Sequence, residues 1–101
     1  MIGRGRFKAI VKTQLDLFEQ EHSDLLAACD AAEAAYNAAP REEAEERYGD
    51  YLDLLESAAE ALADMRDRYA RPLEESLDDE YTAAFDRAAS RRYPRLAPHL
   101  G

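Results

Sequence analysis

Residues 11–39 read VKTQLDLFEQEHSDLLAACDAAEAAYNAA, and within them Val11, Leu15, Phe18, His22, Leu25, Cys29, Ala32, Tyr36 and Ala39 recur in alternating steps of four and three. Steps of that kind put every named residue on one stripe of an α-helix, in the manner of a coiled coil. The stripe stops at Asn37 to Pro40. Proline suits the first turn of a new helix, and Glu42 and Glu43 suit the positive end of its dipole. The stripe then resumes with Ala44, Tyr48, Tyr51, Leu55, Ala58, Leu62, Met65 and Tyr69. A connection this short makes neighbouring helices antiparallel. A turn centred at residue 40 pairs Cys29 with Tyr51, Leu25 with Leu55, Phe18 with Leu62 and Val11 with Tyr69. Stripe positions meet stripe positions throughout, so the sequence predicts an antiparallel helical hairpin over about 7–38 and 40–70.

Composition agrees with an all-α fold. Ile, Val and Thr supply only Ile2, Ile10, Val11, Thr13 and Thr82, without alternation, whereas Ala, Leu, Glu and Arg dominate. The chain has 101 residues, of which 47% are hydrophobic, but twenty of these are alanine and bury little area. Outward positions carry acid-to-base pairs four apart, such as Glu43 with Arg47 and Asp64 with Arg68.

Pro72 removes a backbone donor and restricts Arg71. The stripe nevertheless continues through it as Tyr69, Leu73, Leu77, Tyr81, Ala84 and Ala88. Retained phase predicts a third helical segment over about 72–92 that continues past a kink, with a reversal into a compact bundle as the alternative. In the kinked form everything beyond Glu74 overhangs the hairpin. Its apolar face, Leu77, Tyr81, Ala84, Phe85 and Ala88, then needs a partner, which predicts self-association into a helical bundle with a homodimer favoured. The organisation expected is a flexible basic N-terminus at 1–6, one helical domain at 7–92, and an extended tail at 93–101, where Pro94 and Pro98 interrupt any helical period.

Net charge is −9, distributed unevenly. Arg4, Arg6, Lys8 and Lys12 give the first twelve residues +4. Arg87, Arg91, Arg92 and Arg95 against Asp86 give residues 81–101 a charge of +3, leaving −16 between. Such a body repels nucleic acid and anionic membrane, so nucleic acid is an unexpected partner except through the basic ends. No stretch approaches the roughly 20 apolar residues of a membrane span, and the first twelve residues hold no signal-peptide run. With a single cysteine no internal disulfide forms, and the expected location is the cytoplasm.

Residues that could carry chemistry are few. Glu19 and His22 have the Glu-x-x-His spacing that carboxylate-bridged metal bundles use, but no Asp or Glu occupies a stripe position of the hairpin to complete a site. The metal reading is therefore an alternative, and neither metal nor cofactor is expected. His22 reads as a polar residue in the seam, and Cys29 as a small hydrophobe facing Tyr51. Gly3, Gly5, Gly49 and Gly101 cannot build a phosphate loop, and no serine has a base and orienting partner in its context. These features predict a non-enzymatic interaction or adaptor module. The alternatives are a small ferritin-like binding bundle using Glu19 and His22, and a regulator that contacts nucleic acid through its basic ends.

Overall fold

The computed structural model describes residues 5–101. Within them lie four α-helices: α1 (Lys8–Glu21), α2 (Ser23–Ala38), α3 (Ala44–Ala70) and α4 (Glu75–Arg92). Short 3₁₀ turns occupy Arg41–Glu43 and Ala97–His99. The described residues contain no strand, so the chain is all-helical. Residues 1–4 of the expected flexible basic N-terminus lie outside the described residues. Gly5 to Phe7 form a turn, with the Lys8 amide donating to the Gly5 carbonyl at 3.1 Å, and Phe7 is buried.

α1 and α2 together form the first arm of the hairpin, and α3 forms the second. The arm is broken at His22 (φ −117°, ψ 27°), where the sequence suggests one continuous helix. Hydrogen bonds from the His22 amide to Phe18 and from the Leu26 amide to His22, both 2.9 Å, keep the two pieces in line. At the far end Tyr36 meets Tyr48 with ring centroids 5.3 Å apart, and the Tyr51 hydroxyl donates to Glu33 at 3.2 Å. Those contacts pair positions summing to 84 rather than 80. The shift is one helical turn, so the stripe still faces the stripe.

At Pro72 the chain reverses. A continued helix would set Tyr69 and Tyr81 about 18 Å apart along its axis, and Arg66 and Asp86 about 30 Å apart. Instead the Tyr69 and Tyr81 rings stand 4.6 Å apart, and Arg66 donates to Asp86 at 2.9 Å. α4 therefore runs antiparallel to α3 and alongside α1. The overhanging arm is corrected to a folded-back third helix. The phase of the stripe could not separate these outcomes, because an apolar face that remains in phase points at the same core after a tight reversal. Glu75 and Asp78 in the first turn of α4 and Arg91 and Arg92 in its last suit its dipole.

The core is concentrated where three helices meet. Val11, Leu15 and Phe18 of α1, Leu55, Ala58, Ala59 and Leu62 of α3, and Tyr81, Phe85 and Ala89 of α4 are all buried. Ala59, Arg66 and Ala70 lie beside the hairpin seam and are covered by the return of the chain. The expected extended tail is also corrected. Tyr93 to Gly101 folds as a strap whose Leu96 and Leu100 are buried against the bundle, and Tyr93 packs edge-on to Phe18 with centroids 5.6 Å apart. Its prolines prevent a helix, but the apolar spacing of Tyr93, Leu96 and Leu100 still supplies three anchors.

Candidate functional site

The face expected to meet a partner is mostly turned inward. Tyr81 and Phe85 have no exposed surface. The Tyr81 ring lies 5.4 Å from Phe7 and 6.0 Å from Phe85, and its hydroxyl donates to Gln14 Oε1 at 2.6 Å. Burial pushes its phenol up to about 12. Leu77, Ala84 and Ala88 are half-buried. The correction follows from the reversal: this stripe is the third wall of the chain's own core.

Glu19 and His22 are not brought together as ligands. Glu19 accepts from Arg92 at 3.3 Å and from the Tyr93 hydroxyl at 3.0 Å. The His22 ring lies against Phe18 with centroids 4.9 Å apart. Among the described residues no group of three His, Cys, Asp or Glu side chains is placed to hold a metal ion. Cys29 is fully buried, and burial pushes its thiol up although Arg95 pulls the other way. The stabilised form is the thiol, the reverse of what a nucleophile needs.

The arginines of the C-terminal region carry the main polar contacts. Arg92 donates to Asp16 at 2.7 Å, while Arg95 donates to Glu33 at 2.9 Å and to Asp30. The last residue of α4 thus grips α1 and the strap grips α2, on opposite sides of the break at His22. Lys12 also reaches Asp16 at 2.9 Å, and hydrogen bonds from Lys12 and Arg92 hold that carboxyl below its usual range. Arg66, buried in α3, donates to Asp67 at 2.8 Å, to Asp86 at 2.9 Å and to the Gly101 main-chain oxygen at 3.2 Å. Burial works against its charge, but the two carboxylates keep its guanidinium raised.

Two surfaces are left for recognition. The first is a groove between α1 and α4, made of adjoining hollows of about 690 and 260 Å³. Its floor is Val11, Leu15, Ala84 and Ala88, and its rim carries Lys8, Lys12, Arg87, Arg91 and Arg92. Lys8, Arg87 and Arg91 make no ion pair among the described residues. At its proximal end Glu80 Oε2 is buried without a hydrogen-bond partner, 3.7 Å from the Arg6 guanidinium. The sequence shows both basic ends; the fold gathers most of them into one place on an acidic protein.

The second surface is the distal half of the hairpin. α4 makes no contact with α2, and no residue from 30 to 50 is buried. That segment nevertheless carries the Tyr36 and Tyr48 pair, with Tyr48 47% exposed, beside Ala31, Ala32, Ala34, Ala35, Ala38 and Ala39. None of the described helices is long and apolar enough to cross a membrane. No protein-family model, curated protein or solved structure matches this chain.

Proposed function

We propose that the chain is a non-enzymatic helical interaction module of the cytoplasm that self-associates as a homodimer, with the distal half of the hairpin as its docking element. One observation carries this reading: over residues 30–50 the α2–α3 tip extends an apolar, tyrosine-bearing stripe that its own two helices only half-bury at Ala32, Tyr36, Ala39 and Ala44 and leave exposed at Tyr48. A two-helix tip with no third helix packed on it buries too little to be held firmly by its own packing. A partner supplies the missing layer, and the alanines let its helices approach closely. The absence of enzymatic chemistry is supported by the placement of the obvious candidates, with Cys29 sealed in the seam and His22 stacked on Phe18.

The regulator reading gains Lys8, Lys12, Arg87 and Arg91 in one groove, while the net charge of −9 opposes nucleic acid at longer range. Sedimentation equilibrium at micromolar concentration tests the main proposal. The wild type is expected as a dimer, and Tyr36→Ser with Tyr48→Ser is expected to shift it toward monomer with its helical circular dichroism retained. A wild type that stays monomeric at high concentration contradicts the proposal.

A further inference from the structure

Resting on that reading of a self-associating module, we infer that the second copy lies antiparallel to the first, with its acidic hairpin tip seated in this copy's basic α1–α4 groove. The two surfaces are complementary in charge and lie at opposite ends of a molecule 54 Å long. Residues 41–50 carry Glu42, Glu43, Glu45, Glu46 and Asp50 against Arg41 and Arg47. Arg47 already holds Glu43 at 3.6 Å and Asp50 at 3.8 Å, which leaves Glu42, Glu45 and Glu46 without ion pairs among the described residues. The groove has the opposite surplus in Lys8, Arg87 and Arg91.

Each surface is also half apolar. The groove floor of Leu15, Ala84 and Ala88 suits a helix that presents small and aromatic residues, and the tip presents its alanines and Tyr48. Helix-in-groove recognition takes this form, with apolar residues on the floor and opposite charges along the rim. A two-fold axis near the middle of the molecule makes the contact twice, so the assembly closes at two copies instead of growing into a chain. A stable dimer buries about 800 Å² per partner, roughly an eighth of the 6775 Å² this chain exposes. Each copy supplies that area in two places, one at its groove and one at its tip.

The test uses exposed positions, so folding is preserved and circular dichroism checks it. Lys8→Glu with Arg91→Glu reverses the groove; Glu42→Lys with Glu45→Lys reverses the tip. Each double variant alone sets like charges together at both contacts and is expected to dimerise at least about tenfold more weakly than wild type. Mixed in equal amounts, the two variants are expected to form a heterodimer of near wild-type strength, because every groove then meets a tip of opposite sign. Rising salt is expected to weaken the wild-type dimer. Variants that dimerise as wild type does, or a mixture that fails to recover, overturn this arrangement while leaving the self-association proposal standing. A monomeric wild type removes both. A duplex oligonucleotide that binds at physiological salt, fails to bind the groove-reversed variant and dissociates the dimer assigns the groove to nucleic acid and overturns the inference.

Discussion

The proximal and distal halves of this hairpin share one sequence pattern and have opposite fates. From Phe7 to Cys29, and back from Tyr51 to Ala70, the stripe is buried or half-buried under α4 and the strap. From residue 30 to residue 50 the same four-three stripe continues without one fully buried position: Ala32, Tyr36, Ala39 and Ala44 are half-buried and Tyr48 is exposed. The distinction lies in what covers it. α4 has 18 residues and so spans about 27 Å, half of the 54 Å length of the molecule. Periodicity decides which face of a helix is apolar, but only a third layer decides whether that face is sealed. Composition follows the same division. Large aromatic residues gather where three helices meet, and alanine dominates where two helices run alone.

The largest effect that could break this comparison comes from the core. Phe85→Ala empties a fully buried site in the proximal half and is expected to cost about 3 to 5 kcal/mol. Leu25→Ala, at the boundary between the halves, removes a side chain that is only half-buried, so its expected loss is about 2 kcal/mol, the low end of the range for leucine. Denaturant melts measure both. Equal losses at the two positions would mean that the stripe is sealed evenly along its length.

A smaller effect sharpens the comparison through tyrosine ionisation. Tyr81 and Tyr93 are both pushed up to about 12, in each case first by burial, and for Tyr93 also by its hydrogen bond to Glu19. An unfolded tyrosine ionises near 10. Because the folded values are raised, the stability these phenols contribute is complete below about pH 10 and is lost as pH rises through about 12. Ultraviolet absorbance is expected to show a late phenolate step that coincides with loss of helix. Tyr81→Phe and Tyr93→Phe should each remove part of that step; a step untouched by either variant contradicts the packing of α4 and the strap.

The sequence made the all-helical hairpin readable because one regular stripe met another across a proline-marked turn. Ala59 and Ala61, which flank the seam on α3, are a sequence sign of an apolar face wider than two helices need. The direction of α4 was hidden, because Pro72 ends a helix but does not set the angle at which the next one leaves. The strap was missed for a related reason: Pro94 and Pro98 erase the period that reveals a helix, while Leu96 and Leu100 remained as anchors to be noticed. Arg66 follows Met65 directly and reads as a solvated charge until Asp86 is brought back beside it. Of the candidate site, both basic ends were visible in the sequence. Their junction was not, because Lys8 and Arg91 become neighbours only through the reversal at Pro72.

The central claim is that the distal half is uncovered in one copy and covered by a second, and amide hydrogen exchange followed against protein concentration tests it most directly. In dilute solution, residues 30–50 are expected to exchange faster than the proximal segments 11–18, 58–66 and 81–89. As concentration rises into the dimer range, 30–50 and the exposed rim at Lys8, Lys12 and Arg91 are expected to gain protection together, with the proximal core unchanged. Distal protection equal to that of the core in dilute solution, and indifferent to concentration, would contradict the account.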